Sequence, residues 1–160
     1  MEWKEVEGNL FDYEKTHYLA QCISSDFKMS KGIATEFVNR YNLKELLLEK
    51  YKDILPNIWS DQYPLCDLTK FEDTKGVFNL ITKKKYSNKP TYKTLTNSLE
   101  EMKKLVKELI DSSDEKIKIA MPKIGSGLDR LEWDKVKNIV LDVFQDVDIE
   151  ILFVYYLGNE

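Results

Sequence analysis

The sequence predicts an α/β domain in which helices cover both faces of a central sheet. Two patterns carry the prediction. Short apolar runs rich in β-branched and aromatic residues alternate along the chain with segments whose apolar residues recur at helical spacing. Several of the apolar runs also end in polar or glycine-containing loops that lead straight into a helix, which is how α/β units are joined. The 160 residues amount to one domain, expected to span 1–160.

The elements follow in order. Trp3 to Glu7 alternates apolar and charged residues and stops at Gly8, a short strand with one face expected to be buried. Tyr18 to Ile23 is a mostly apolar run, read as a buried strand feeding the polar loop Ser24 to Lys31. Ile33, Phe37, Val38 and Tyr41 recur at helical spacing, so Gly32 marks a helix start. Leu43 to Tyr51 continues as a second helix and breaks near Pro56. Tyr63 to Leu68 and Val77 to Thr82 read as strands around a turn at Thr74-Lys75-Gly76. Leu95, Leu99, Met102, Leu105, Val106 and Leu109 form an amphipathic stripe that ends at Ser112-Ser113-Asp114. Ile117 to Met121 is the next strand, and Trp133, Val136, Ile139, Val140, Val143 and Phe144 mark the next helix. Ile149 to Tyr156 is the last strand, giving six in all.

Composition removes several classes of function. Hydrophobic residues make up 42% and charged residues 32%, with only six Gly and four Pro, so the chain is globular rather than disordered or fibrous. Its longest apolar stretch, Ile151 to Leu157, is far too short to span a bilayer, and the amino terminus lacks a signal-peptide pattern. A cytoplasmic protein is expected. Cys22 and Cys66 are too few for a disulfide scaffold, and with His17 the sole histidine no multi-histidine metal site can form. No metal or cofactor is expected. Twenty-eight acidic against twenty-four basic residues leave a net charge of −4, which argues against nucleic-acid binding through the overall field but not against a local basic patch.

In open α/β sheets ligands gather beyond the carboxyl ends of strands, which directs attention to the loops after Ile23, Thr82 and Met121. Ile124-Gly125-Ser126-Gly127 lets the backbone approach a phosphate, and it is equally an ordinary strand-to-helix turn. Ser24 to Ala34 is either a surface connection or a second wall facing the same phosphates. Lys83, followed by Lys84 and Lys85, is either part of a solvated charge run or an amine made nucleophilic by the neighbouring cations. Asp129 is either a helix-start carboxylate or a general acid and base. His17 reads as structural or solvated, Cys22 as a small packing residue, and Trp3, Trp59 and Trp133 as packing aromatics.

Four segments together resemble a macrodomain. They are Gly8-Asn9-Leu10-Phe11; Cys22-Ile23-Ser24-Ser25-Asp26 with Met29 and Gly32-Ile33-Ala34; Leu80-Ile81-Thr82-Lys83-Lys84 with Lys89-Pro90-Thr91-Tyr92; and Met121 to Leu131 with Trp133. The resemblance runs in order from about residue 3 to 157, and the last two segments are similar to the terminal ADP-ribose protein glycohydrolase branch. It implies a three-layer α/β/α fold around a mixed six-stranded sheet, with an ADP-ribose crevice at one end. It further implies that Lys83 attacks the anomeric carbon of the distal ribose and forms a transient lysyl adduct, and that Asp129 resolves it as general acid and base.

For binding, the resemblance implies that Ile124, Gly125, Ser126, Gly127 and Leu128 hold the diphosphate and distal ribose. Ile23, Ser24, Gly32, Ile33 and Ala34 form the facing wall, and Thr82, Pro90 and Thr91 lie alongside. Asn9 and Leu10 meet the adenine end, where Asn9 replaces the usual aspartate and forgoes a charge-assisted bond to the exocyclic amine. Tyr155, or Tyr156 next to it, offers an aromatic face, and Ser126 stands where relatives carry cysteine. The function expected is removal of mono-ADP-ribose from acidic side chains, with O-acetyl-ADP-ribose deacetylation as a related activity. The alternatives are a non-catalytic ADP-ribose reader and a hydrolase acting on ADP-ribosylated DNA. The expected partners are ADP-ribose and its protein or DNA carriers, and the expected state is a monomer.

Overall fold

A computed structural model describes residues 1–54, 58–59, 65–127 and 129–156. Six strands form one sheet in the order β1-β6-β5-β2-β4-β3. They are β1 (Glu2–Glu7), β2 (Tyr18–Ser24), β3 (Cys66–Thr69), β4 (Val77–Lys83), β5 (Ile117–Met121) and β6 (Ile149–Tyr155). All neighbours pair parallel except β3, which runs antiparallel to β4 along the edge, so the sheet is mixed. Four helices cover it: α1 (Ile33–Tyr41), α2 (Leu43–Lys50), α3 (Tyr92–Ser112) and α4 (Trp133–Phe144). A short 3-10 turn, Leu10–Tyr13, follows β1 and has no counterpart in the sequence reading.

Strand alternation sends successive side chains to opposite faces and so makes two cores. Phe78, Leu80, Ile119, Ile151 and Phe153 pack with Leu95, Leu99, Met102 and Val106 of α3 and Val136, Val140 and Phe144 of α4. Leu19, Ile23, Val77, Ile81 and Ala120 pack on the other face with Phe37 of α1, Leu43 and Leu47 of α2, and Leu10 and Phe11 of the 3-10 turn. Helices on both faces make the fold a three-layer α/β/α sandwich.

One reading changes. β1 is largely exposed, with Trp3 at 45% relative exposure, instead of burying one face. It is an edge strand, and Trp3 makes an edge contact on Phe153 at 6.1 Å between centroids. Tyr63, Pro64 and the break near Pro56 lie outside the described residues, and the described part of that strand is Cys66–Thr69. The middle of the sheet is also not wholly apolar. Gln21 on β2, Asn79 on β4 and Asp67 on β3 lie in register, with Gln21 Nε2 donating to Asn79 Oδ1 at 2.9 Å and Asn79 Nδ2 donating to Asp67 Oδ2 at 3.1 Å. Lys50 Nζ, Tyr51 OH and Thr69 Oγ1 complete the shell of the fully buried Asp67 carboxylate.

Candidate active site

The sheet opens where chemistry is expected. β2 pairs with β5 only at Tyr18 and Leu19, while β2 runs on to Ser24, so the two strands part at their carboxyl ends. The chain leaves β2 toward α1 on one face and leaves β5 toward α4 on the other, making this gap a topological switch point. Cys22 lies at its floor, near Lys83, Thr82, Asp129 and the Gly125 amide. Burial, reinforced by the Asp129 carboxylate, pushes the Cys22 thiol well up, so it stays neutral and packs as expected.

Two side chains 46 residues apart in sequence meet over the gap. Lys83 Nζ donates to Asp129 Oδ1 at 2.8 Å, and the two side chains retain 14% and 16% exposure. They are shielded enough to strengthen the charge contact and open enough to meet a ligand. This arrangement corrects two sequence expectations. The charged group against Lys83 is a carboxylate, while Lys84 and Lys85 are exposed, so crowding by cations does not set its environment. Asp129 does not start a helix, because α4 begins at Trp133 with Glu132 as its N-cap.

The backbone around Lys83 is fixed by the loop after β2. Ser25 N–H donates to the Lys83 carbonyl at 2.9 Å, and Ser25 Oγ donates to the Lys84 carbonyl at 2.7 Å. Asp26 accepts from the Tyr86 N–H at 2.8 Å and, within its own loop, from Ser24 Oγ and the Lys28 N–H. Asp26 carries no role in the sequence reading. Its local bond to Lys28 is an Asx-type turn visible in sequence, whereas the bond across 60 residues to Tyr86 is not. Phe27 and Met29 in the same loop take left-handed backbone with both side chains buried, so packing holds an unfavourable conformation beside the site.

The remaining expected residues divide by what their side chains can offer. Gly32 caps α1 at φ 63 without a side-chain bond, and Ile33 and Ala34 follow it on the rim. Gly125 sits at φ 71, and a Cβ there would come within 3.1 Å of Leu131 Cδ1, so this turn needs glycine. Ser126 spends its N–H on the Lys123 carbonyl at 3.2 Å, while Gly127 is exposed and Leu128 lies outside the described residues. Leu10, Ile23 and Ile124 are buried in the cores. Ser24 is buried and directs its hydroxyl to Asp26, and Thr82 is buried beside Cys22. Pro90 is buried, and Thr91 is the N-cap of α3, its hydroxyl accepting from the Thr94 N–H at 3.0 Å in a reciprocal capping box.

At the far end Gly8 N–H donates to the Tyr155 carbonyl at 2.8 Å, bringing Asn9 and the two tyrosines together. Asn9 Oδ1 accepts from the Phe11 N–H at 3.0 Å, so one of its lone pairs already caps the 3-10 turn. Lys123 Nζ covers the Tyr155 ring at 4.6 Å. Burial and a hydrogen bond to Glu5 push the Tyr155 hydroxyl up to about 12. Tyr156 leaves its ring 56% exposed. His17 lies before β2, at the opposite end of the sheet, bonded to Thr16 Oγ1. Among the described residues no His, Cys, Asp and Glu group is arranged to hold a metal ion, and no helix is long and apolar enough to cross a membrane.

The chain is 38% identical over 148 residues to the human ADP-ribose glycohydrolase OARD1, covering 91% of this chain and 86% of that protein. It belongs to the OARD1 family of ADP-ribose glycohydrolases. The bovine protein of the same name is 37% identical over the same span. Among solved structures, the macrodomain of Thermus aquaticus DarG superposes with a TM-score of 0.76 at 19% identity, covering 96% of this chain and 97% of that one. Thermosipho africanus DarTG in complex with ADP-ribose superposes with a TM-score of 0.74 at 19% identity, covering 99% of this chain and 43% of that one. These likenesses establish the macrodomain fold. No protein-family model matches the chain.

Proposed function

We propose that this macrodomain hydrolyses the bond between a terminal ADP-ribose and an acidic side chain, with Lys83 as nucleophile and Asp129 as general acid and base. The observation that carries the reading is the 2.8 Å contact between Lys83 Nζ and Asp129 Oδ1 at the switch point of the sheet, in a chain of the OARD1 family.

The contact supplies a proton route for each step. Asp129 takes a proton from the Lys83 ammonium, leaving a neutral amine beside a carboxylic acid. The amine bonds to the anomeric carbon of the distal ribose as the bond from that carbon to the acyl oxygen breaks. Asp129 gives its proton to the departing carboxyl group, and the ribose is held on Lys83 as a charged adduct. Water then attacks the same carbon, Asp129 takes a proton from it, the carbon–nitrogen bond breaks, and Asp129 returns the proton to the amine. The sum is one water consumed, one acid and one free ADP-ribose released. A reader without turnover needs no such pair, which places that reading second.

The test is release of ADP-ribose from a glutamate-ADP-ribosylated protein and from O-acetyl-ADP-ribose by wild type, Lys83→Ala and Asp129→Asn, with ADP-ribose binding measured by calorimetry on each. The lysine variant is expected to lose roughly 10³-fold or more in rate and the asparagine variant about 10²–10⁴-fold, with both still binding ADP-ribose. Binding without release by wild type overturns the hydrolase reading for these substrates.

A further inference from the structure

The rim of the crevice carries a charge imbalance that the reaction at its floor does not use. Ten lysines, among them Lys83, lie within ion-pair distance of a carboxylate. Lys28 and Lys31 in the loop after β2, and Lys84 and Lys85 in the loop after β4, are exposed and form no ion pair among the described residues. The bonds from Asp26 to the Tyr86 N–H and from Ser25 to Lys84 draw these two loops together. Lys28 Nζ lies 5.0 Å from the centroid of the Tyr86 ring, which is itself 51% exposed. Asp26, exposed between the two loops, commits its carboxylate to three hydrogen bonds, and the Asp129 carboxylate is held on Lys83.

We propose that this rim, formed by Lys28, Lys31, Lys84 and Lys85 around Tyr86, docks an acidic peptide segment whose modified side chain enters the crevice. The proposal rests on the hydrolase reading above and names the carrier it selects. Four exposed cations on these two loops, against the single charge of Asp26 within electrostatic reach of Lys28, attract carboxylates that flank the modified residue within about one Debye length, roughly 8 Å at physiological salt. A long polyanion fits less well. The chain has a net charge of −4, and setting the four rim lysines aside leaves −8 on the rest, so a nucleic acid running past the rim meets repulsion. A short acidic segment stays within the basic area.

The test uses two synthetic peptides with one ADP-ribosylated glutamate each, one with Glu and Asp flanks and one with Gln and Asn flanks. The enzymes are wild type and the combined variant Lys28→Gln, Lys31→Gln, Lys84→Gln, Lys85→Gln, whose melting curve checks its folding. Wild type is expected to favour the acidic-flanked peptide about tenfold in kcat/KM at roughly 0.01 M salt, by a smaller factor at about 0.15 M, and to reach parity only toward about 1 M. The variant is expected to lose the preference while keeping the wild-type rate on the neutral peptide. Equal wild-type rates on both peptides, or a preference that survives in the variant, overturn the docking proposal and leave the hydrolase reading standing. Failure to hydrolyse either peptide overturns the hydrolase reading instead. Fluorescence anisotropy of the unmodified acidic peptide and of a short oligodeoxythymidylate then decides the rim. Tighter binding of the peptide, lost in the variant, supports docking, and tighter binding of the oligonucleotide, or no difference between the proteins, overturns it.

Discussion

The Asp26 carboxylate accepts hydrogen bonds from both loops that frame Lys83: from Ser24 and the Lys28 amide through Oδ1, and from the Tyr86 amide at 2.8 Å through Oδ2. Partial burial opposes its charge, but the bonds from Ser24, Tyr86 and Lys28 outweigh it and hold the carboxyl below the usual range. A depressed pKa means that the folded chain binds fewer protons than the unfolded chain in that window. The stability Asp26 contributes is therefore fully present above the unfolded pKa of about 3.9 and is lost as pH falls through the lower, folded value. Asparagine has one acceptor oxygen, so Asp26→Asn releases either the local turn or the Tyr86 loop. The variant is expected to be less stable than wild type at neutral pH, with the gap closing below about pH 4 in urea titrations. A gap that stays constant to about pH 3 contradicts this account.

Thr91 shows what an element boundary can settle about a residue. By resemblance it belongs beside the ligand, yet its hydroxyl and amide are both engaged with Thr94 in the capping box that starts α3. Thr91→Ala is expected to cost about 1 kcal/mol of stability while ADP-ribose affinity stays unchanged, measured by urea unfolding and calorimetry. A matching fall in affinity makes Thr91 a ligand contact as well as a cap. Helix and strand positions were legible because the core stripes of α1, α3 and α4 follow the helical period and β2, β4, β5 and β6 are dense in apolar residues. The exposure of β1 was not, since alternation marks a face without saying whether anything covers it. Nor was the first turn of α3, where Thr91 and Thr94 carry the signal and the apolar stripe begins only at Leu95.

At the scale of the molecule, Lys83 and Asp129 were legible as two residues and not as a contact. Lys83 stood out at a strand end and Asp129 at an expected helix start, with the resemblance naming both, but the geometry that joins them depends on β2 and β5 parting after Leu19. The polar ladder through the sheet was invisible for the same reason, because Gln21, Asn79 and Asp67 become neighbours only once three strands are in register. That ladder reaches the site. Tyr51 donates to Asp67 and lies 5.7 Å from the ring of Phe27, whose left-handed backbone shapes the loop after β2. Removing the carboxylate strands the donors of Tyr51, Thr69 and Asn79, while half-exposed Lys50 keeps the Leu68 carbonyl and water. Asp67→Ala is therefore expected to cost roughly 1–3 kcal/mol, the penalty for leaving buried donors unsatisfied, against a total stability of about 5–15 kcal/mol. It is also expected to weaken ADP-ribose binding through the Phe27 loop, measured at a temperature where the variant remains folded. A loss below about 1 kcal/mol, the scale of an exposed pair, shows that water reaches these donors and that the ladder is not a closed network.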